Sequence, residues 1–216
     1  MIKNKTMAML SPDRRLFLVG ASALALSACS GLIGPPEAAQ IYILKPVVPA
    51  GPQGAKVKWA LAIQIPAGSD ALDAQRIALT HSDTVLDYYA NAVWPDRLPL
   101  LVQTAVLGAF QDSGRIDAVA REQEALHADY NLALDIRDFA AHYSSPDGAP
   151  HITVNIIAQM TTAHGRNVVA TLNANQSVDA SANSVDSVVQ AMDTALGAAI
   201  SQIAAWALAL PPPPLP

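Results

Sequence analysis

Cysteine is nearly missing from this chain: of 216 residues, only Cys29 carries a thiol. That excludes an intrachain disulfide, so the fold must be held by burial. Aromatic residues are scarce at 5% and charged residues at 14%. Basic residues are outnumbered, 13 Lys and Arg against 18 Asp and Glu, for a formal net charge of −5. Such a chain lacks the basic footprint that nucleic acid or anionic headgroups require. No apolar run is long enough to cross a membrane: Leu16 to Ala28 is 13 residues, and a spanning helix needs roughly 20.

Signatures of catalysis are missing too. There is no Gly-x-Ser-x-Gly elbow, no phosphate loop and no dinucleotide fingerprint. His81, His127, His142, His151 and His164 are scattered without metal-ligand spacing, so no metal and no cofactor are expected. Asp129, Asp135 and Asp138 are the nearest approach to a carboxylate cluster. Asp135 and Arg137 share a strand face and read as an ion pair. Asp138 falls on the other parity, at the end of the apolar face, as a candidate buried acid. With no nucleophile or oxyanion partner beside them, an enzyme is not expected.

What is present begins at the N-terminus. Lys3, Lys5, Arg14 and Arg15 precede the apolar run, which ends in Leu26-Ser27-Ala28-Cys29. This is the layout of an exported precursor, with residues 1–28 as signal peptide and cleavage between Ala28 and Cys29. Leu-Ser-Ala-Cys resembles the lipobox of bacterial lipoproteins, which implies acylation of Cys29, with palmitate among the chains. Acyl chains contribute about 0.8 kcal/mol per buried CH2, and stable anchoring takes more than one chain. Arg14-Arg15 leaves the general secretory and twin-arginine routes both open. By resemblance to Gram-negative sorting, Ser30 points to the outer membrane. Removal of the leader leaves 9 bases against 17 acids.

Residues 29–40 are small, polar and proline-containing, and read as an acylated tether; 41–210 form one domain, and 211–216 a proline-rich tail. Val57, Trp59, Leu61, Ile63 and Ile65 alternate with smaller or polar residues, which predicts a strand with one buried face. Pro66 to Asp70 reads as its end. Arg76–His81 and Thr84–Trp94 read as strands joined through Ser82-Asp83. Asp96 is a candidate cap for a helix with Leu98, Leu101, Val102, Ala105, Leu107, Ala109 and Phe110 on its apolar stripe and Gly114 as its stop. Ile116–Val119 reads as a short strand. Alternation from Tyr130, Ile152 and Val168 predicts a three-strand meander with turns at Asp147-Gly148 and His164-Gly165. Ser184 is a candidate cap for a long final helix, stopped by Pro211. The order predicts an α+β fold: a single domain with a mainly antiparallel mixed sheet and two amphipathic helices packed on one face.

Ser69-Asp70-Ala71-Leu72-Asp73 through Arg76-Ile77, Asp87-Tyr88-Tyr89 through Trp94-Pro95-Asp96-Arg97-Leu98, and Ser113-Gly114-Arg115 resemble the ABC-type transport auxiliary lipoprotein family, which includes the paraquat-inducible protein C-like lipoproteins. The resemblance covers essentially the whole mature chain. It implies a non-enzymatic periplasmic partner of an inner-membrane ABC permease and ATPase and of an MCE-domain substrate-binding protein, in systems that move lipids or other hydrophobic molecules. The implied role is a tether and docking module held at the outer membrane. Trp94, Asp96 and Arg97 are the candidate partner interface. The alternative is a lipid carrier with a pocket between sheet and helices. Oligomeric state is left open.

Overall fold

The computed structural model describes residues 38–49, 54–82, 84–124, 127–164 and 167–213. The signal peptide, the cleavage point at Ala28 and Cys29, and most of the tether lie outside the described residues. Ala39–Pro216 form one compact unit.

Strand β7 (Tyr130–His142) organises the sheet. Its buried residues Tyr130, Leu132, Leu134 and Ile136 follow the period of two that directs alternate side chains to one face. One edge of β7 pairs antiparallel with β8 (His151–Thr162), which pairs in the same sense with β9 (Val168–Asp179). This is the predicted meander. The other edge of β7 is shared, end to end, by three short parallel neighbours. These are β2 (Leu61–Ile63) beside Tyr130–Leu132, β3 (Ala67–Gly68) beside Asp135–Ile136, and β4 (Arg76–Ser82) beside Ala141–His142. β5 (Val85–Val93) pairs antiparallel with β4, and β1 (Gln40–Ile41) closes that margin parallel to β5. β6 (Val119–Arg121) flanks β2 in parallel.

The result is one mixed sheet of nine strands among the described residues, with long antiparallel ladders and short parallel ones. Helices α1 (Leu98–Asp112) and α2 (Val185–Leu208) cover the face that carries Leu132, Ile156 and Met160. Ser184 caps α2, its side chain accepting from the Ser187 N–H at 3.3 Å. Val188, Met192, Leu196, Ala199 and Ile203 then recur at helical spacing and are buried. Gly114, at φ 60°, ends α1 in the left-handed conformation that glycine adopts without steric cost.

Several local expectations change. The strand expected over 57–65 is confined to Leu61–Ile63, and Ala62 is buried along with its neighbours. Parallel neighbours on both sides place this strand inside the sheet, where both faces are covered. Val57 keeps only an isolated bridge to Ile116, and Ile65 is 43% exposed. Within the expected break at 66–70, Ala67–Gly68 still pairs with β7. The short strand expected at Ile116–Val119 lies instead at Val119–Arg121. Asp96 is not the helix cap: Arg97 holds that position without a side-chain cap bond, and Asp96 Oδ1 accepts from the Arg97 N–H at 2.7 Å. Asp138 is carried off the apolar face by a bulge between Ile136 and Asp138, which hands that face to Phe139 and Ala141.

Candidate functional site

The two motif blocks in 69–98 fold into one corner. The β4–β5 ladder passes from Arg76↔Val93 to Ala78↔Tyr88, so residues 89–92 bulge against Ile77. Asn91 takes φ 54° there, a left-handed conformation that asparagine tolerates better than most residues. The bulge brings the strand end back onto the loop before β4. The Trp94 N–H donates to the Gln75 carbonyl at 2.7 Å, and the Leu98 N–H to the Ala74 carbonyl at 3.1 Å. The Arg76 guanidinium stacks 3.5 Å from the Tyr88 ring centroid, and the Tyr88 hydroxyl donates to the Ala71 carbonyl at 3.1 Å. Motif residues distant in sequence are thus neighbours, mainly for architectural reasons.

Within this corner the three interface candidates part company. Trp94 is 2% exposed and meets Phe139 edge to face at 6.5 Å, so its indole belongs to the core. It supports the corner from beneath and offers no ring to a partner. Arg97 is exposed, and its Nη1 reaches both Asp73 carboxylate oxygens at 2.8 and 3.0 Å. Asp96 borders a shallow groove of about 440 Å³ with Ile65, Leu100, Arg121 and Glu124. The exposed Ile65 is the feature of this surface that alternation concealed, because the pattern placed it inside.

A second feature is the docking of residues 42–49 against α2, which no alternation or cap in the sequence announces; Ile41–Leu44 reads there only as a short strand and Pro46–Gly54 as a loop. After β1 the chain runs extended along α2 as a strap. The Lys45 N–H donates to Asp193 Oδ1 at 2.7 Å, and the Ser201 hydroxyl to the Pro49 carbonyl at 3.4 Å. Val47 backbone packs onto Gly197, where a Cβ would overlap its carbonyl. Contacts two residues apart on the strap thus meet contacts four apart on the helix. Two extended residues advance about 6.6 Å and four helical ones about 6 Å, so the two repeats stay in step. Burial raises the Asp193 carboxyl above its ordinary value, opposed by the Lys45 amide and charge.

Beside the strap lies a cleft of about 1050 Å³ between α1 and the last turns of α2. Ile43, Val48, Leu101 and Leu208 give it apolar walls, and Lys56 lies at its polar part. Ala105, Gly108 and Ala204 are too small to fill it. It does not lie between sheet and helices, where the pocket of the carrier reading was expected. There Ile63, Leu132, Ile156, Met192 and Ile200 are fully buried and fill the space.

On the opposite face of the sheet, Thr80 Oγ1 lies 2.8 Å from His142 Nδ1, and His142 Nε2 lies 2.9 Å from Asp138 Oδ2. Burial raises the Asp138 carboxyl, with His142 pulling the other way. The order hydroxyl, imidazole, carboxylate is that of a hydrolytic triad. Neither cleft reaches it, however, and the β4–β7 ladder beside it is only two residues long. The line adds a side-chain link between β4 and β7 beside that short pairing. Next to it, the Tyr89 and Tyr143 hydroxyls lie 2.8 Å apart, and desolvation pushes the Tyr89 phenol far above its ordinary range. Among the described residues no group of three or more His, Cys, Asp or Glu is placed to hold a metal ion, and no helix is long and apolar enough to cross a membrane.

An uncharacterized protein of Bradyrhizobium diazoefficiens is similar to this chain, 28% identical over 141 residues. The match takes in 64% of this chain but spans only 37% of that relative's length. In structure the chain is similar to protein XCC0632 of Xanthomonas campestris, a DUF330 protein, with a TM-score of 0.73 and 28% identity over 79% of this chain and 95% of that one. A further solved, uncharacterized protein shares the fold at a TM-score of 0.62 and 15% identity, covering 78% of this chain and 97% of its own. The sequence model for the ABC-type transport auxiliary lipoprotein component matches residues 42–204, from the strap through most of α2. The chain belongs to the ABC-type transport auxiliary lipoprotein family.

Proposed function

We propose that this protein is the outer-membrane lipoprotein of an ABC transport system that moves lipids or other hydrophobic molecules. It faces the periplasm, anchored through acylated Cys29, and docks the MCE-domain substrate-binding protein that works with the inner-membrane permease and ATPase. The observation that carries this reading is the family match over residues 42–204 directly behind the lipobox-like sequence.

Residues 30–39 extend at most about 35 Å, at roughly 3.5 Å each. A domain on so short a leash stays concentrated at the membrane surface, which favours capture of a partner there. The strap passes that attachment into the domain, because Lys45 and Val47 are held along α2. Asp96 and Arg97, with the groove beside Ile65, are the proposed docking surface. Cys29→Ala in the native host tests the anchor. It should leave the protein folded and able to bind the MCE-domain partner but release it from outer-membrane fractions. Retention there after a high-salt wash would defeat the reading.

The cleft beside the strap favours a second reading, a carrier that holds an acyl chain. Lipid retained by the purified full chain in native mass spectrometry, and lost on Ala105→Phe, would support it. A lipid-free protein would count against it.

A further inference from the structure

Strand β9 forms one margin of the sheet. It pairs with β8 on one side, and among the described residues no backbone group bonds to its other side. The margins formed by β1 and β6 are two and three residues long, and the length of β5 that β1 leaves unpaired, residues 85–91, carries Asp87 and runs into the bulge at 89–92. β9 has 12 residues. Natural edge strands of such length are usually blunted by lysine, proline, a bulge or a short extent. Between Ala170 and Val178 the chain reads Ala-Thr-Leu-Asn-Ala-Asn-Gln-Ser-Val, with no charge, proline or glycine. The irregularity against β8 falls outside this stretch, at the Met160/Thr161 step, and leaves 170–178 in register. Thr171, Asn173, Asn175 and Ser177 are exposed on one face, while Leu172, Ala174, Gln176 and Val178 are covered to varying degrees on the face that α2 packs against.

We propose that β9 pairs antiparallel with β9 of a second copy, about a two-fold axis through Ala174, to form an isologous dimer. An antiparallel ladder joins residues whose N–H groups both point across the new seam, so paired residues share parity and the axis passes through a residue. Ala174 is the midpoint of the regular stretch. Pairing there sets Asn173 opposite Asn175 and Thr171 opposite Ser177, each twice. Amide meets amide and hydroxyl meets hydroxyl, with no like charges opposed. In a chain with formal net charge −5, a neutral strip is where two copies approach with least repulsion. The seam leaves β1, at the far margin of the sheet, clear of it.

The test is the mass of the detergent-extracted full chain by sedimentation. The wild type should sediment as a dimer. Asn173→Lys with Asn175→Lys brings four cations to the seam and should halve the mass, as should Asn173→Glu with Asn175→Glu. Mixing the two variants should restore the dimer. Independently, Thr171→Cys with Ser177→Cys should form inter-chain disulfides on oxidation. A monomeric wild type, a mass that the lysine pair leaves unchanged, or no cross-link at positions 171 and 177 would overturn the proposal. So would a wild type whose β9 is occupied only by a strand from another protein.

Discussion

The Lys45 backbone N–H donates to Asp193 Oδ1 at 2.7 Å, joining residues 148 apart in the chain. That bond and the Val47–Gly197 contact four residues further along α2 hold the strap to the helix. Gly197→Ala should therefore displace the strap. Overpacking costs about 1–3 kcal/mol, offset by roughly 1 kcal/mol of improved helix propensity. The expected outcome is a small net loss of stability with markedly faster proteolysis at residues 45–54. Unchanged cleavage would mean that the strap does not depend on this contact.

Asp193 should also set a pH response. Burial raises its carboxyl above the ordinary value of 3.8, so the folded state binds this proton more tightly than the unfolded one. Stability from this group is greatest below the ordinary value and falls as pH rises through the raised folded value. Asp138 carries a shift of the same sign. Asp193→Asn keeps an oxygen for the Lys45 N–H and removes the ionisation. Urea unfolding from pH 4 to 7 should show a flatter dependence for the variant, with the strap still protected. An identical slope would remove Asp193 as its source.

Gln103 is the buried polar residue of α1, and its Nε2 donates to the Ile63 carbonyl at 3.0 Å. It joins the helix to the end of β2 at a carbonyl beyond reach of water. Gln103→Leu should cost about 1–3 kcal/mol, because that acceptor loses its partner. Denaturant unfolding measures it, and a change below about 0.5 kcal/mol would show that the carbonyl finds another donor.

Trp94 and Arg97 should separate folding from docking. Trp94→Ala removes a buried indole and should cost about 3–5 kcal/mol. Arg97→Ala breaks an exposed ion pair with Asp73, worth at most about 1 kcal/mol. In a binding assay with the MCE-domain protein of the same system, the folded Arg97→Ala protein should bind less well. Full binding by Arg97→Ala and by Asp96→Lys would move the docking surface elsewhere.

Much of the fold was legible in the chain because period is a local property. The alternation through Tyr130, Ile152 and Val168 set the meander, and the Ser184 cap and Gly114 stop lie where α2 begins and α1 ends. Where reading failed, the deciding contact was remote. Ala62 is buried because parallel strands flank β2 on both sides, a relation that its own neighbours in sequence do not carry. Asp138 changed faces through one extra residue in a ladder, and Trp94 turned inward after a bulge around Asn91.

By itself the sequence determined the single thiol at Cys29, the excess of acid over base, the apolar run too short to span a bilayer, and the motif residues that carry the family. These are matters of composition, spacing and local order, and no tertiary contact is needed to state them. Tertiary structure decided which motif residues face water. It also placed the strap against α2, where an extended repeat and a helical one advance by nearly equal steps. And it left β9 as a long margin, uncharged from Ala170 to Val178, because a strand becomes an edge only when the sheet beyond it stops.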